Sequence, residues 1–451
     1  MIPRYTPKEV RGFWTDRTKL KYWLKVELAA LWARMKLDEI SAECYKAICR
    51  HAGFTLKRIG ELEAISDHDL AAFVDCVRET LCQKGVKRQR AEEVHKRLTS
   101  YDTEDPALML MLIKVGRLIV EALQKLEDAL LVKAQEYKWT LVTARTHGQA
   151  AEPTTFGKEL LVFAYAVRRA KERLEWSIEH DLRYGKMSGA VGTYAGMNPE
   201  LETLACQRLG LKPALVSTQI LQRDRHAAFL ANLVIATSTI EQIARTFWVR
   251  MRFEVMELQE PRRPKQKGSS AMPHKKNPIL TERLIGLARV MRGYLQTALE
   301  NIATHEDREI SQSGPERIIL PDATTLALYM TQKITSIVSR MKVFPERMRE
   351  NLDMSQGTWA GQRVRYALVE VGVPDAVAYE LVQRASFEAV SQRKPLAKVL
   401  WAMPLSESDQ RRPGDIIHGA AYRNLFDPQS YIKDGVETIF ERFFPEEVAK
   451  N

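Results

Sequence analysis

Three features of the sequence predict an all-α fold built around a bundle of long helices. Apolar residues recur at helical spacing over long stretches. The clearest stretch is 106–138, where Leu108, Leu112, Val115, Ile119, Leu123, Leu126 and Leu130 share one stripe. Comparable patterns follow at 155–184, 223–257 and 278–302, and a fifth begins near Pro321. No run of alternating apolar and polar residues interrupts them, and the connections are polar and punctuated by glycine and proline. Helices of this length bury their stripes against one another, and stripes this long also suit sharing between subunits. Met109, Met111, Trp176, Phe229 and Trp248 lie on these stripes and read as core side chains.

With 451 residues the chain has room for several domains. The pattern divides it into an N-terminal helical domain (1–98), a central long-helix domain (99–342) and a C-terminal domain of shorter helices (343–451). The first domain opens with Arg4-Tyr5-Thr6-Pro7 and then a helical pattern over 9–35, with Trp14, Leu20, Trp23, Leu24, Leu28, Leu31 and Trp32 on one face. The start has no apolar run after its charge and so is not a signal peptide, and no stretch reads as long and apolar enough for a membrane helix. Five cysteines without metal-ligand spacing suit reduced thiols in a cytoplasmic protein. The net charge of +11 raises nucleic-acid binding, but basic residues are dispersed among acids and no nucleic-acid motif is present. A pocket for a small polyanion accounts for the charge as well.

The polar connections carry the chemistry. His68-Asp69 places an acid beside an imidazole, just after Asp67. Thr99-Ser100 is a turn and N-cap cluster, with His95 four residues before Thr99 and Asp105-Pro106 marking the helix start. Segment 143–155 reads as a loop in which His147, beside Gly148 and flanked by threonines, is a candidate acid/base. Segment 185–194 is glycine-rich but lacks the Gly-Lys-Ser/Thr of a phosphate-binding loop. The stretch 268–278, Gly-Ser-Ser-Ala-Met-Pro-His-Lys-Lys-Asn-Pro, is too interrupted for a helix interior. It feeds the helix that follows, with Asn277 as N-cap and Pro278 in the first turn. Its hydroxyls, Lys275, Asn277 and free backbone N–H groups suit an anion. Last, Arg308, Ser313 and Arg317 are apt for a phosphate, which arginine grips through paired charge-assisted hydrogen bonds.

These segments resemble the signature regions of the fumarase/aspartase superfamily, and Ser-Ala-Met-Pro-His-Lys-Lys-Asn-Pro most resembles its adenylosuccinate lyase branch. The resemblance spans essentially the whole chain, with Gln312, Gly314 and Asp67 as departures. It implies the three-domain fold, a homotetrameric helical core, and elimination of fumarate from adenylosuccinate and from succinyl-aminoimidazole carboxamide ribotide. It assigns the base to Ser269 and the acid to His147, oriented by Glu282, with Ser270, Lys275 and Asn277 on the succinyl carboxylates and His68 assisting. His95, Thr99, Ser100, Gln219, Asp67 and Asp69 would contact substrate, and Arg4, Tyr5, Arg308, Ser313 and Arg317 would take the phosphate region. Each site would be built from three subunits, with no metal and no organic cofactor. The competing readings are an argininosuccinate lyase, a carboxymuconate cycloisomerase, or a non-catalytic scaffold or RNA-binding protein on the same fold.

Overall fold

In the computed structural model of the protein, residues 1–266 and 271–444 are described. Helices dominate, as the periodicity predicts. Five are long: Ser100–Glu136, Phe156–Ser177, Asp224–Arg250, Ile279–Glu300 and Ser313–Arg340. Among the described residues, strands are confined to three two-stranded pairs. The chain forms two compact units. One comprises Met1–Lys125, Val167–Gln242 and Arg283–Lys333; the other comprises Leu126–Ala166, Ile243–Glu282 and the chain from Ile334 onward.

In the first unit the predicted stripes are core. Leu112, Val115, Ile119 and Leu123 are buried, and Trp23 meets Phe73 edge-on at 5.6 Å. Leu108, half-buried, lines a cleft instead. The first regular helix starts at Asp16, later than the pattern suggests, because Thr15 caps it and the preceding prolines permit only short 3-10 turns. Pro106 and Pro321, which local sequence marks as helix starts, both lie inside helices. Capping explains the first case. Asp102 Oδ2 accepts the Thr99 N–H at 2.9 Å, so the helix begins at Ser100, ahead of the proline. Of the five side chains read as core, Met109, Met111 and Phe229 are buried, but Trp176 and Trp248 are 57% and 38% exposed. Trp176 stacks on His180 instead, at 4.4 Å.

In the second unit, the expected loop over 143–155 is largely a β-hairpin, Leu141–Thr146 against Gln149–Thr155. His147 and Gly148 form its two-residue turn with φ of 52° and 77°, the left-handed pair that matches the twist of the flanking strands. Leu352, Ala360, Val364, Leu368, Leu381 and Leu400 form the core of the C-terminal helices, against which Leu141 packs. Tyr431 Oη donates to Glu152 of the hairpin at 2.6 Å.

One further expectation is corrected. The helix Asp224–Arg250 contains an 18-residue window of mean hydropathy 1.4, long and apolar enough to cross a membrane. Its apolar side chains include Phe229, Leu230, Leu233, Ile240, Ile243 and Phe247, all fully buried. That is how a bundle helix uses such a composition.

Candidate active site

The first unit holds most of the residues expected to recognise substrate, and buried ion pairs fix their positions. Asp102 caps Thr99 with one oxygen and takes Lys186 Nζ at 2.6 Å with the other; both side chains are wholly buried. The remaining Lys186 protons go to the carbonyls of Gly189 (3.1 Å) and Gln219 (2.9 Å), so the ammonium is fully satisfied. One lysine thus ties the Thr99-Ser100 turn, the glycine-rich segment and Gln219 together. Gly192 in that segment, at φ 76°, passes so close to Ser217 that a Cβ would lie 2.0 Å from its carbonyl oxygen.

A second buried cluster anchors the other helix start. Arg223 grips Asp105 with two hydrogen bonds of 3.0 and 2.9 Å and Glu316 at 2.9 Å. This joins the beginning of Ser100–Glu136 to that of Ser313–Arg340. Between them lies a cleft of about 240 Å³ lined by Trp14, Lys19, Tyr101, Glu104, Ser313 and Arg317.

At the cleft, Arg317 donates to Asp69 at 2.9 Å and lies 4.0 Å from Glu104. Burial opposes the charge on Asp69, but Arg317 and Lys19 beside it hold its carboxyl below the usual range. Asp69 also accepts its neighbour's Leu70 N–H and lies 3.9 Å from His68 Nδ1, beyond hydrogen-bond reach. So the expected orientation of His68 by Asp69 gives way to capping: Nδ1 accepts the Ala71 N–H at 3.4 Å at the start of Asp69–Gln83. That capping leaves Nε2 as the protonated nitrogen of the neutral ring. Asp67 ends the preceding helix in a left-handed conformation and is exposed.

Gln219 accepts from Arg308 at 3.0 Å and donates to the Ala190 carbonyl at 3.1 Å. His95 is held by Glu27, 2.7 Å from Nδ1, and the same carboxylate takes the Thr103 hydroxyl at 2.6 Å. Burial works against a charge on His95, but Glu27 outweighs it and raises the imidazole above its ordinary range. Tyr5 packs on Tyr329 with ring centres 5.3 Å apart; Arg4 is exposed.

Glu104 gives the cleft a pH response. Burial, and then the Asp69 carboxylate, push its carboxyl up to about 7, against the pull of Arg317. A carboxyl raised on folding favours the folded state below its unfolded value, and that advantage is lost as pH rises through the folded value. Wild-type stability should therefore fall between about 4.5 and about 7 through this group. Glu104→Gln is expected to be more stable than wild type at pH 8 by about 1–3 kcal/mol and to lose that advantage by pH 4, read from urea unfolding at both values.

The second unit holds the residues expected to do the chemistry. His147 stands exposed at the hairpin tip. Neighbouring Arg145 turns to the buried Glu257 at 3.5 Å, which fixes the strand below the tip. Lys275 is exposed in the turn closed by its own N–H to Met272 at 3.1 Å. Glu282, in the first turn of Ile279–Glu300, accepts Trp248 Nε1 at 3.2 Å, and within one chain it makes no hydrogen bond to His147. The start of this helix also meets a carboxylate from upstream. The buried Glu260 accepts the N–H groups of Leu280 (3.2 Å) and Thr281 (2.8 Å), so these donors, expected to face an anion with Asn277 as cap, already hold a carboxylate. Ser269 and Ser270 lie outside the described residues.

The sequence profile of the Lyase family matches residues 4–293. The adenylosuccinate lyase of Bacillus subtilis (strain 168) is 39% identical over 442 residues, 98% of this chain and 99% of that one. That of Thermotoga maritima is 40% identical over 443 residues, with the same shares. The chain belongs to the adenylosuccinate lyase family. Solved structures agree on the fold. The 3-carboxy-cis,cis-muconate lactonizing enzyme of Pseudomonas putida superposes with a TM-score of 0.84 at 25% identity, covering 96% of this chain and 97% of that one. A fumarate lyase from Mesorhizobium sp. BNC1 has the same TM-score at 23% identity, covering 96% of both chains.

Several residues that build the site in this family member were missed in the sequence: Lys186, Asp102, Glu27, Arg223 and Tyr101. Their side-chain partners stand 68 to 211 positions away, as in His95–Glu27 and Gln312–Tyr101, so spacing carried no signal. A charged residue at a core position of a helical pattern was the one available cue.

Proposed function

We propose that the protein is an adenylosuccinate lyase. It eliminates fumarate from adenylosuccinate, giving AMP, and from succinyl-aminoimidazole carboxamide ribotide, giving the free carboxamide ribotide in purine biosynthesis. The observation that carries this reading is the near-full-length identity to adenylosuccinate lyases. Support from the site is the set formed by Gln219, Arg308, Ser313 and Arg317, whose paired-donor cations suit a nucleotide phosphate.

In the elimination, a base takes the proton from the carbon β to nitrogen. The released pair forms the C=C bond of fumarate, the C–N bond breaks, and the nitrogen takes a proton. We assign the base to Ser269 and the acid to His147, with Lys275, Asn277 and Ser270 on the carboxylates and Thr99 and Ser100 on the succinyl group. A serine hydroxyl needs a strong positive field to act as a base, and Lys275, close by in the sequence, supplies a cation. His68 assists, and His95 and Asp67 sit on the substrate side.

The reading includes a homotetramer with shared sites. Its support is that Glu282 and His147 do not pair within one chain, and that long helices carry exposed apolar side chains such as Val162, Ile235 and Leu299. A cytoplasmic location is part of the reading, supported by five unpaired cysteines. Steady-state assays with adenylosuccinate, argininosuccinate and 3-carboxymuconate test the substrate. Preference for adenylosuccinate by a factor of about 10³ or more in kcat/KM is expected, and preference for either of the others overturns the reading.

A further inference from the structure

We propose that Tyr101 is a positioning residue for anion recognition: its ring is the platform that holds the Arg308 guanidinium ready for the phosphate of the substrate. This rests on the proposed lyase function and extends it to a residue with no assigned role.

Tyr101 lies in the first turn of Ser100–Glu136 and is 4% exposed. Two arginines face its ring. Arg223, with its carbon 5.5 Å from the ring centre, is neutralised by Asp105 and Glu316. Arg308 lies closer, at 4.3 Å, and has no carboxylate partner among the described residues. One hydrogen bond to Gln219 and the stack on Tyr101 hold it, and its Nε is buried without an acceptor. A half-buried guanidinium without a counter-ion is a site for an anion.

The ring is itself fixed. Gln312, fully buried, donates to the Tyr101 hydroxyl at 3.2 Å, and Ser313 lines the same cleft. Burial pushes the phenol above its ordinary range, so the ring stays neutral. Tyr101 therefore touches Arg308 and shares the cleft with Ser313, two groups expected at the phosphate. A flat aromatic face restricts a guanidinium to orientations parallel or tilted to it, which preorganises the fork before ligand arrives. Gln312, a departure from the family pattern, supplies this contact without a titrating group.

The test uses the full-length chain with Tyr101→Leu, which keeps an apolar side chain but removes the π-face, and Tyr101→Phe, which keeps the face. AMP affinity is measured by calorimetry, and KM and kcat with adenylosuccinate. Tyr101→Leu should weaken AMP binding and raise KM by about tenfold with kcat within about threefold, and Tyr101→Phe should stay within about threefold of wild type on all three. Equal weakening in both variants, an unchanged Tyr101→Leu, a matching loss of kcat, or no AMP binding by the wild type overturns the proposal. A wild type that binds AMP but leaves adenylosuccinate intact overturns the lyase reading, while the difference between the two variants in AMP binding still decides the role of Tyr101.

Discussion

Replacing His147 by asparagine is expected to lower kcat by about 10²–10⁴-fold and to leave the melting temperature within about 2 °C of wild type. Both halves follow from where the residue stands. His147 is exposed at a hairpin tip and has no hydrogen-bond partner among the described residues, so its removal breaks no packing. Its φ of 52° is one that asparagine tolerates better than most residues, so this variant keeps the turn. A side chain that contributes so little to its own chain is free to serve a reaction. In the shared-site account, an inactive His147→Asn chain mixed and reassembled with an inactive Ser269→Ala chain regains activity, because some sites then receive an intact copy of each. Recovery of none contradicts the shared site, and a His147→Asn enzyme with near wild-type kcat contradicts the assignment of the acid.

Removing Lys186 should have the largest effect on stability. Lys186→Met leaves the Asp102 carboxylate buried without its cation, a change that costs about 3–5 kcal/mol in comparable pairs. The melting temperature should fall by roughly 5–10 °C. The damage should also reach function, because Asp102 holds the Thr99 N–H and Lys186 holds the Gln219 carbonyl. The double variant Lys186→Met/Asp102→Leu, which removes both charges, should recover part of the lost stability. Differential scanning fluorimetry of the three proteins decides this. A single variant that melts like wild type would mean that the ammonium does not anchor the turn.

These expectations mark what was legible in the sequence. The helical class and the long stripes followed from periodicity, because burial of one face constrains many residues at once. Leu112 to Leu130 are buried as that reasoning requires. Local grammar failed where tertiary contacts overrode it. Pro106 reads as a helix start, but the Asp102 cap and the buried pairs of Asp102 and Asp105 extend the helix before it. The hairpin at His147 reads locally as a loop because Pro153 and Gly148 break its pattern. A two-residue turn ending in glycine, between β-branched pairs such as Val142-Thr143 and Thr154-Thr155, was the signal for it. Glu260 could not be found from sequence at the start of Ile279–Glu300, since a carboxylate 20 positions upstream of Leu280 gives no local signal. Trp176 and Trp248 show the limit of stripe reading. A long amphipathic helix marks which face is apolar, and only packing tells whether that face is covered by its own chain.

The most direct measurement is the absorbance of adenylosuccinate on mixing with the purified protein, followed by quantification of AMP and fumarate. Equimolar AMP and fumarate from the wild type, and neither from Ser269→Ala, is the predicted result. Unchanged adenylosuccinate with the wild type, or turnover that survives Ser269→Ala undiminished, would contradict it.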